Sequence, residues 1–339
     1  MSASANLNLF DAATYPSRRV ETWKYSDLSR VLRDAPQVSA PIEVTSAGLF
    51  DDLADKVVVI ANGQSDTDSF VAKGQQTLAL RFVTEAEGTA HMPSFNVRVP
   101  AGSQLTVIET YEGKGSAYAS QVRLNYVVES GAILTRIVAA DDVEDAVSII
   151  DADIDLAPEA TLYQTAVSVG AKLQRIETRL AHQAAGAHAQ VDALYVVNGS
   201  RHVDMTTVVD HLGADGTTSQ LTKGVARDTS RGVFQGKIIV ERGADGTDAR
   251  MGHHALIAGE RAEIDAKPEL IIYADDVQCA HGNTVGTLDE QALFYMQSRG
   301  ITVDEARALL TEAFLREVID RIEREDIRDR VGQWLTERL

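Results

Sequence analysis

The sequence lacks the residues and segments on which several classes of protein depend. It holds one cysteine, Cys279, in 339 residues, so no internal disulfide framework can form. No apolar run approaches 18 residues, which argues against a transmembrane helix. The first residues lack the basic-then-apolar pattern of a secretory signal. Together these absences predict a cytoplasmic protein.

Positive charge is also scarce. The chain has 32 Lys and Arg against 50 Asp and Glu, a formal net charge of −18. Such a field repels phosphate backbones and anionic membrane surfaces, so neither nucleic acid nor a membrane is an expected partner. The acidic residues are spread along the chain and predict no disordered acidic tail.

The common catalytic motifs are missing as well. The segment GVFQGK, Gly232–Lys237, has three residues between its glycines where a Walker loop has four, and Ile238 stands where Ser or Thr is required. No G-x-G-x-x-G opens a helix after a strand, and no G-x-S-x-G occurs. The sequence therefore predicts neither a P-loop nucleotidase nor a serine hydrolase.

What the sequence has instead is a repeat of turn signals through its middle. The first series is Gly102, Gly131, Glu159, Gly186, Gly216 and Gly246, with steps of 29, 28, 27, 30 and 30 residues. The second is Asp142, Gly170, Gly199, Thr229 and Gly259, with steps of 28, 29, 30 and 30. Between turns, apolar and polar residues alternate with the β-branched enrichment of strands.

A fixed period in this range is typical of a stacked array. A β-helix with two turns per coil and an antiparallel meander curled into a sandwich both fit. The near-constant step favours the β-helix, over residues 91–286. We expect a mixed, partly helical region over 1–90 and a helical domain over 287–339, both closing the open ends of the solenoid.

Local signals refine the two ends. Residues 17–35 predict one short helix, and DKVVVIANG predicts a buried strand that turns at Asn62-Gly63. After residue 287, a helix should end at Gly300, and Thr302 to Glu305 form a capping box for the next helix. The charged C-terminal segment predicts one more helix.

The histidines are mostly isolated. His253 and His254 are adjacent, so on a strand they point to opposite faces and do not share a metal ion. The others in the repeat region are interpreted as structural: His182, His188, His202 and His211.

Cys279 and His281 are different. At i and i+2 on a strand they share a face, about 6–7 Å apart. A nucleophile, a metal site and a buried structural pair all stay open. A Cys–His catalyst has no evident oxyanion donors on a flat strand. Iron–sulfur clusters and tetrahedral zinc need four donors, so any iron–sulfur chemistry here requires ligands from another subunit.

Two segments carry a family resemblance. Residues 234–301, and above all ADDVQCAHGNTVG…LDEQALFYMQSRGI, resemble the SufB/SufD family of iron–sulfur cluster assembly proteins. RRVETWKYSDL, Arg18–Leu28, looks like the N-terminal signature of its SufD members. Where the family has an NLLLS-like run, this chain reads GHHALIAG, Gly252–Gly259, and the chain is short for the family.

The resemblance implies a right-handed parallel β-helix in a cytoplasmic complex with SufB and the ABC-type ATPase SufC. The last coils would pair with SufB, with His281 and its neighbour Cys279 at a nascent iron–sulfur cluster shared with SufB. The C-terminal helices would dock SufC through residues matching Phe294, Tyr295, Arg299, Gly300, Ile301 and Phe314. The chain itself would be a non-catalytic scaffold.

The sequence leaves several alternatives open. A β-solenoid adaptor without metal chemistry is one, and a β-helix enzyme acting on polysaccharide is another. The absent export signal and the absence of a clustered set of carboxylates argue against the enzyme. Whether a flavin joins the complex, and whether the chain forms a homodimer without SufB, also stay open.

Overall fold

Two long parallel β-sheets enclose one shared interior. The computed structural model describes residues 6–339. Its strands are β1 (Gln37–Val38), β2 (Lys56–Ala61), β3 (Ser69–Val71), β4 (Gln75–Glu87), β5 (Thr89–His91), β6 (Ser94–Val99), β7 (Gln104–Ser116), β8 (Ala119–Val128), β9 (Ile133–Asp141), β10 (Val147–Leu156), β11 (Thr161–Ser168), β12 (Leu173–His182), β13 (His188–Val197), β14 (His202–His211), β15 (Thr217–Ala226), β16 (Arg231–Val240), β17 (Asp248–Ile257), β18 (Glu263–Ile272) and β19 (Gln278–Gly286). Its α-helices are α1 (Leu28–Val31), α2 (Glu290–Ser298), α3 (Val303–Ile319) and α4 (Glu325–Thr336).

From β7 onward, successive strands alternate between the two sheets. The ten-stranded sheet, called sheet A, runs β1-β5-β8-β10-β12-β14-β16-β18, with β3 and β6 beside it. The nine-stranded sheet, called sheet B, runs β19-β17-β15-β13-β11-β9-β7-β4-β2. Neighbouring strands in both sheets are parallel, for example β12 with β14 and β13 with β15. The predicted parallel β-solenoid is confirmed and the antiparallel sandwich is wrong; the right-handed coil stays a prediction.

Most steps from one coil to the next lie within the predicted 27–30 residues, such as the 29 from His202 to Arg231. The extremes from β7 onward are 26, from Val147 to Leu173, and 32, from Arg231 to Glu263. Strands of both sheets also lie ahead of residue 91, the predicted start of the solenoid, because β2 pairs with β4 and β1 with β5.

One corner of the solenoid is a ladder of left-handed residues. Gly131, Glu159, Gly186, Asp215 and Gly246 have φ between 57° and 78°. The backbone N–H of each donates to a carbonyl in the corner of the next coil, over 2.7–3.1 Å. These hydrogen bonds offset the cost of the left-handed region for the glutamate and the aspartate. The sequence placed this turn at Gly216, but the left-handed residue of the corner is Asp215, one position earlier.

The interior is apolar except where polar groups meet partners. Glu109 and Arg136 lie inside it, both fully buried, with Nε–Oε1 2.6 Å and Nη2–Oε2 2.8 Å apart. Tyr111 donates to Glu109 over 3.0 Å, and Arg136 donates to Gln164 over 2.8 Å. Such a pair is tolerated because each charge has complete hydrogen bonding.

Glycines make room for large side chains in the later coils. A Cβ on Gly224 would lie 1.9 Å from Cζ of Tyr195, and a Cβ on Gly232 would lie 2.4 Å from Cε2 of the same ring. A Cβ on Gly236 would lie 2.0 Å from Sδ of Met251. The two glycines of GVFQGK are therefore packing positions inside the solenoid.

The N-terminal segment covers the outer face of sheet A. Trp23 is fully buried there with its ring 4.6 Å from the Arg175 guanidinium, and Ser26 donates to Asp204 over 2.5 Å. The single helix predicted over 17–35 is wrong: a 3₁₀ turn at Glu21–Trp23 and the short α1 replace it. Asp27, which is itself in the extended region, caps α1 by accepting from the Arg30 N–H, so a new helix starts there instead of continuing the 3₁₀ turn.

The C-terminal helices cover the outer face of sheet B. Leu315, Val318 and Ile319 of α3 pack with Val331 and Trp334 of α4 in one apolar cluster with residues of sheet B. The predicted end of the first helix at Gly300, φ 89°, and the capping box at Thr302 and Glu305 are confirmed. The expectation that α3 and α4 close the last coil is wrong, because their apolar residues lie against the face of sheet B.

Within residues 6–339, no helix is both long and apolar enough to cross a membrane.

Four histidines are buried in or against the solenoid and His202 is half-buried, and burial lowers the pKa of all five. The pKa falls to about 3 for His182 and to about 4 for His91, His202, His211 and His253. His182 and His211 stack with ring centres 4.1 Å apart, and both lie 3.0–3.1 Å from the Thr218 hydroxyl. The prediction that isolated histidines of the repeats are structural fits these two.

We predict that Gly224→Ala lowers the free energy of unfolding by about 1–3 kcal/mol, because the new methyl group overlaps the Tyr195 ring. Denaturant unfolding measures the change. Gly252→Ala is the matched control, since its Cβ would meet nothing closer than 3.5 Å, and it should stay within about 0.5 kcal/mol of the parent. Equal stability of both variants would contradict the packing described.

We also predict that His182 makes unfolding pH-dependent. Its folded pKa lies below the unfolded value, so its contribution is complete above about pH 6.5 and is lost as the pH falls toward about 3. His182→Gln should flatten the slope of unfolding free energy against pH by up to about 1.4 kcal/mol per unit.

Asp192 provides the control of opposite sign. Burial raises its pKa to about 7, although Arg321, 2.8 Å away, opposes the rise, so protonation stabilises the fold as the pH falls. Asp192→Asn should therefore steepen the loss of stability over the same range. A slope that neither substitution changes would contradict this account.

Candidate functional site

The last coil of the solenoid is not followed by another coil within residues 6–339. The strands β18 and β19 end sheet A and sheet B, and neither has a partner on its outer edge in this part of the chain. Met251 on β17 is 2% exposed, whereas Ile272 on β18 is 42% exposed and Val285 on β19 is 44% exposed. We call the uncovered inner faces and outer edges of β18 and β19 together the open end. It presents two strand edges and apolar side chains to solvent.

Cys279 and His281 lie on β19, as the alternating pattern predicts. In the register with β17, Cys279 pairs with Ala249 and His281 pairs with Met251. Both partners belong to the buried interior, so Cys279 and His281 also face the inside of the coil. Cys279 is half-buried against the interior, and His281 is exposed at the open end.

The thiol of Cys279 is not an activated nucleophile. Burial raises its pKa above the ordinary value, and the nearby Asp248 carboxylate raises it further. The thiol is therefore protonated near neutral pH, whereas catalytic cysteines have a lowered pKa. Among the alternatives, this disfavours a Cys–His nucleophile and leaves a ligand or packing role.

A buried polar column leads to the same strand. The Tyr195 hydroxyl lies 3.1 Å from Nε2 of His253, and Nδ1 of His253 lies 2.7 Å from Oδ1 of Asn283. The His253 ring stacks on Phe234, with ring centres 4.7 Å apart and an angle of 5°. Asn283 is two residues from His281 and, like His253, faces inward.

His254 has the opposite orientation. Its Nδ1 lies 2.7 Å from Oγ1 of Thr284, and both residues face outward on sheet B. The prediction that His253 and His254 point to opposite faces is confirmed.

The donor set fits a shared cluster site better than a complete one. Thiol and imidazole are ligands that iron accepts. Within residues 6–339, no group of three or more His, Cys, Asp or Glu side chains is arranged to hold a metal ion. Any cluster held at Cys279 and His281 would take its remaining ligands from elsewhere.

The residues predicted to dock an ATPase fall into two groups. Phe294 and Tyr295 of α2 are 75% and 59% exposed, and the Arg299 guanidinium lies 5.2 Å from the Tyr295 ring. Gly300 supplies the left-handed turn after α2. Ile301 is half-buried, and Phe314 packs against the cluster between α3 and sheet B, with Nζ of Lys223 4.3 Å from its ring. Of these six residues, the two exposed aromatics are therefore Phe294 and Tyr295 of α2.

A cleft of about 550 Å³ lies between α2, α3 and two turns of the solenoid. Leu293, Arg307 and Thr311 line its helical side, and Arg227 donates to the Leu339 carbonyl at its base over 2.6 Å. The sequence did not predict this cleft, because the turn at Arg227 and the chain end at Leu339 meet only in the folded structure.

His253 and Asn283 were also missed as neighbours of the candidate site. The signal was present, because the repeat step of 30 residues leads from 253 to 283. A histidine considered without the repeat gives no indication of this pairing.

Comparison with known proteins gives a consistent family. Residues 82–314 match the SUF system FeS cluster assembly, SufBD core domain. The iron–sulfur cluster assembly protein SufD of Escherichia coli is 30% identical over 285 residues, which cover 81% of this chain and 67% of that protein. SufBD family proteins of Synechocystis and Mycobacterium leprae are 29% and 28% identical over 75% and 69% of this chain.

The chain spans 67%, 58% and 61% of the lengths of these three relatives. They are named as assembly proteins or assembly-family proteins and not as enzymes. The family model matches more than half of the sequence. The parallel solenoid and the strand with Cys279 and His281 agree with that family. The chain belongs to the SufBD family of iron–sulfur cluster assembly proteins, as a SufD-like member.

Proposed function

We propose that the chain is a non-catalytic scaffold subunit that completes a cluster-assembly site by pairing its open end with a SufB-like chain. The observation that carries the proposal is that β18 and β19 leave the inner face of the last coil uncovered, with Cys279 and His281 on it. A second solenoid docked there would cover this face and bring further ligands to it.

The open end has the physical properties of a pairing surface. Unpaired N–H and C=O groups line both edge strands, and such edges readily accept further strands. Ile272 and Val285 add exposed apolar side chains, and Cys279 and Leu270 lie beside the buried core. Burying this surface would supply hydrophobic stabilisation together with main-chain hydrogen bonds.

The nascent iron–sulfur cluster is the cargo of this site. His281 would serve as a neutral imidazole ligand or as a proton acceptor, and Cys279 as a second ligand after its thiol is deprotonated. The burial that raises the Cys279 pKa makes it the weaker ligand until iron displaces the proton. His281 is therefore the residue on which we expect assembly to depend most.

We propose that the ATPase partner, a SufC-like chain, docks at α2. Phe294 and Tyr295 are exposed aromatics on one short helix, and aromatic residues of this kind dominate docking surfaces. Gly300 and Ile301 would shape the following turn, while Phe314 would hold α3 in place from inside. ATP hydrolysis would then belong to the partner.

We predict that His281→Ala abolishes or strongly reduces cluster assembly by the complex with SufB, because an imidazole ligand is lost. Anaerobic reconstitution with iron and sulfide, followed by visible absorption, measures it. His254→Ala is the matched control: it removes an imidazole from the outer face nearby and should leave assembly unchanged.

Two further results would count against the proposal. Normal assembly by His281→Ala would favour an adaptor without metal chemistry. A stable cluster on the isolated chain would show that no partner ligands are needed.

We predict that the two docking surfaces are separable. Ile272→Lys places a charge on the open end and should abolish binding of SufB while SufC still binds. Phe294→Ala should do the reverse. Each variant is the control for the other in one co-purification experiment. Loss of both partners in either variant, or of neither, would contradict the assignment.

The same experiment tests self-association. We expect the isolated chain to pair through its open end, since the exposed edges are present whether or not SufB is. Size-exclusion chromatography should then show a dimer for the parent chain and a monomer for Ile272→Lys. Dimers of equal stability in both would place self-association elsewhere.

A further inference from the structure

The column Tyr195–His253–Asn283 runs through the interior of the last coils and ends at the open end. Tyr195 lies on β13, His253 on β17 and Asn283 on β19, all on inner faces of sheet B. Tyr195 and His253 are fully buried, and Asn283 is exposed. The column therefore connects a closed part of the interior with the surface that carries His281.

The hydrogen-bond partners fix the direction of the column. The Tyr195 hydroxyl has no other hydrogen bond within residues 6–339, so it must donate to Nε2 of His253 or leave its proton unpaired in the interior. Nε2 is then the acceptor, and the proton of the neutral ring is on Nδ1. Nδ1–H donates to Oδ1 of Asn283.

Because Nδ1–H of His253 donates to Oδ1, the side-chain amide of Asn283 has one orientation. Its carbonyl oxygen is held by His253, so its NH₂ group is turned away from the column, and it has no hydrogen bond within residues 6–339. Stacking on Phe234 and the tight packing of Tyr195 against Gly224 keep the column from rotating. An oriented donor exposed at the open end therefore lies about 6–7 Å along the strand from His281.

We propose that Asn283 donates an N–H hydrogen bond to sulfur of the cluster held at His281, and that His253 and Tyr195 are the positioning residues that orient it. This inference rests on the proposed function. Hydrogen bonds to cluster sulfurs are one of the means by which a protein sets cluster properties. A neutral donor suits this place, since it stabilises negative charge on sulfur without adding a titrating group.

One member of the column lies at a departure from the family pattern. His253 lies in GHHALIAG, the run in which the sequence departs from the NLLLS-like pattern of the family it resembles. The departure thus has a partner on the adjacent strand, at the distance of one coil.

The first test uses the isolated full-length chain and needs no cluster. Long-range ¹H–¹⁵N correlation spectra of ¹⁵N-histidine-labelled protein report which ring nitrogen carries the proton. We expect His253 to be neutral with its proton on Nδ1 at pH 7. A proton on Nε2 would overturn the proposal, because Asn283 would then turn its carbonyl toward the cluster.

The second test uses the complex with SufB after anaerobic assembly. Asn283→Ala removes the donor, and His253→Leu leaves the amide unheld. Both should make the reduction potential of the cluster more negative, because a hydrogen bond to sulfur favours the reduced, more negative cluster. The double variant should shift it no further than Asn283→Ala alone, since the two residues act as one unit.

The control is Thr284→Ala, which removes the outward partner of His254 on the same strand and should leave the potential unchanged. Thermal unfolding of each variant separates a loss of fold from a change at the cluster. Parent potentials in both Asn283→Ala and His253→Leu would overturn the inference while leaving the scaffold role intact. Failure of the parent complex to assemble any cluster would instead refute the proposed function, and the tautomer of His253 would still be measured.

Discussion

Parallel stacking of one coil on the next is the constraint on which this structure depends. Each strand satisfies its backbone groups with the strand one coil earlier and one coil later, and each inner side chain is covered by its counterpart in the next coil. The last coil cannot meet this requirement by itself. The side chain of Met251 is buried because His281 follows it, but no residue of the described range 6–339 covers His281. The candidate site is the place where the repeat stops.

The same constraint explains how polar groups are accommodated inside. Glu109 and Arg136 satisfy each other in a closed coil, where both neighbours are present. Near the open end the polar contacts are no longer closed within the interior. They run from Tyr195 through His253 to Asn283, which is exposed to solvent. A hydrogen-bonded residue of the core and an amide exposed at the open end are thus parts of one column. The glycines that admit Tyr195 hold it in place.

The two ends of the chain leave the open end exposed by covering other surfaces. Trp23 and Ser26 attach the N-terminal segment to sheet A, and Leu315 and Trp334 attach the C-terminal helices to sheet B. The outer faces of both sheets carry apolar side chains that these terminal segments bury. The helices therefore bury their apolar residues against a sheet face, whereas the open end keeps unpaired strand edges and apolar side chains exposed to solvent.

The sequence by itself determined the local periodicities: the coil length, the alternation that places Cys279 and His281 on one face, the opposite directions of His253 and His254, and the start and end of α2 and α3. These depend on residues within one strand, turn or helix. Only the tertiary structure decided where α3 and α4 pack, that Gly232 and Gly236 face Tyr195 and Met251, and that Asn283 meets His253. Those contacts join residues on different strands or elements, and their outcome depends on which apolar face has the most area to bury. The sequence predicts which face of each strand or helix is apolar, but which of these faces pack together is decided only in the folded structure.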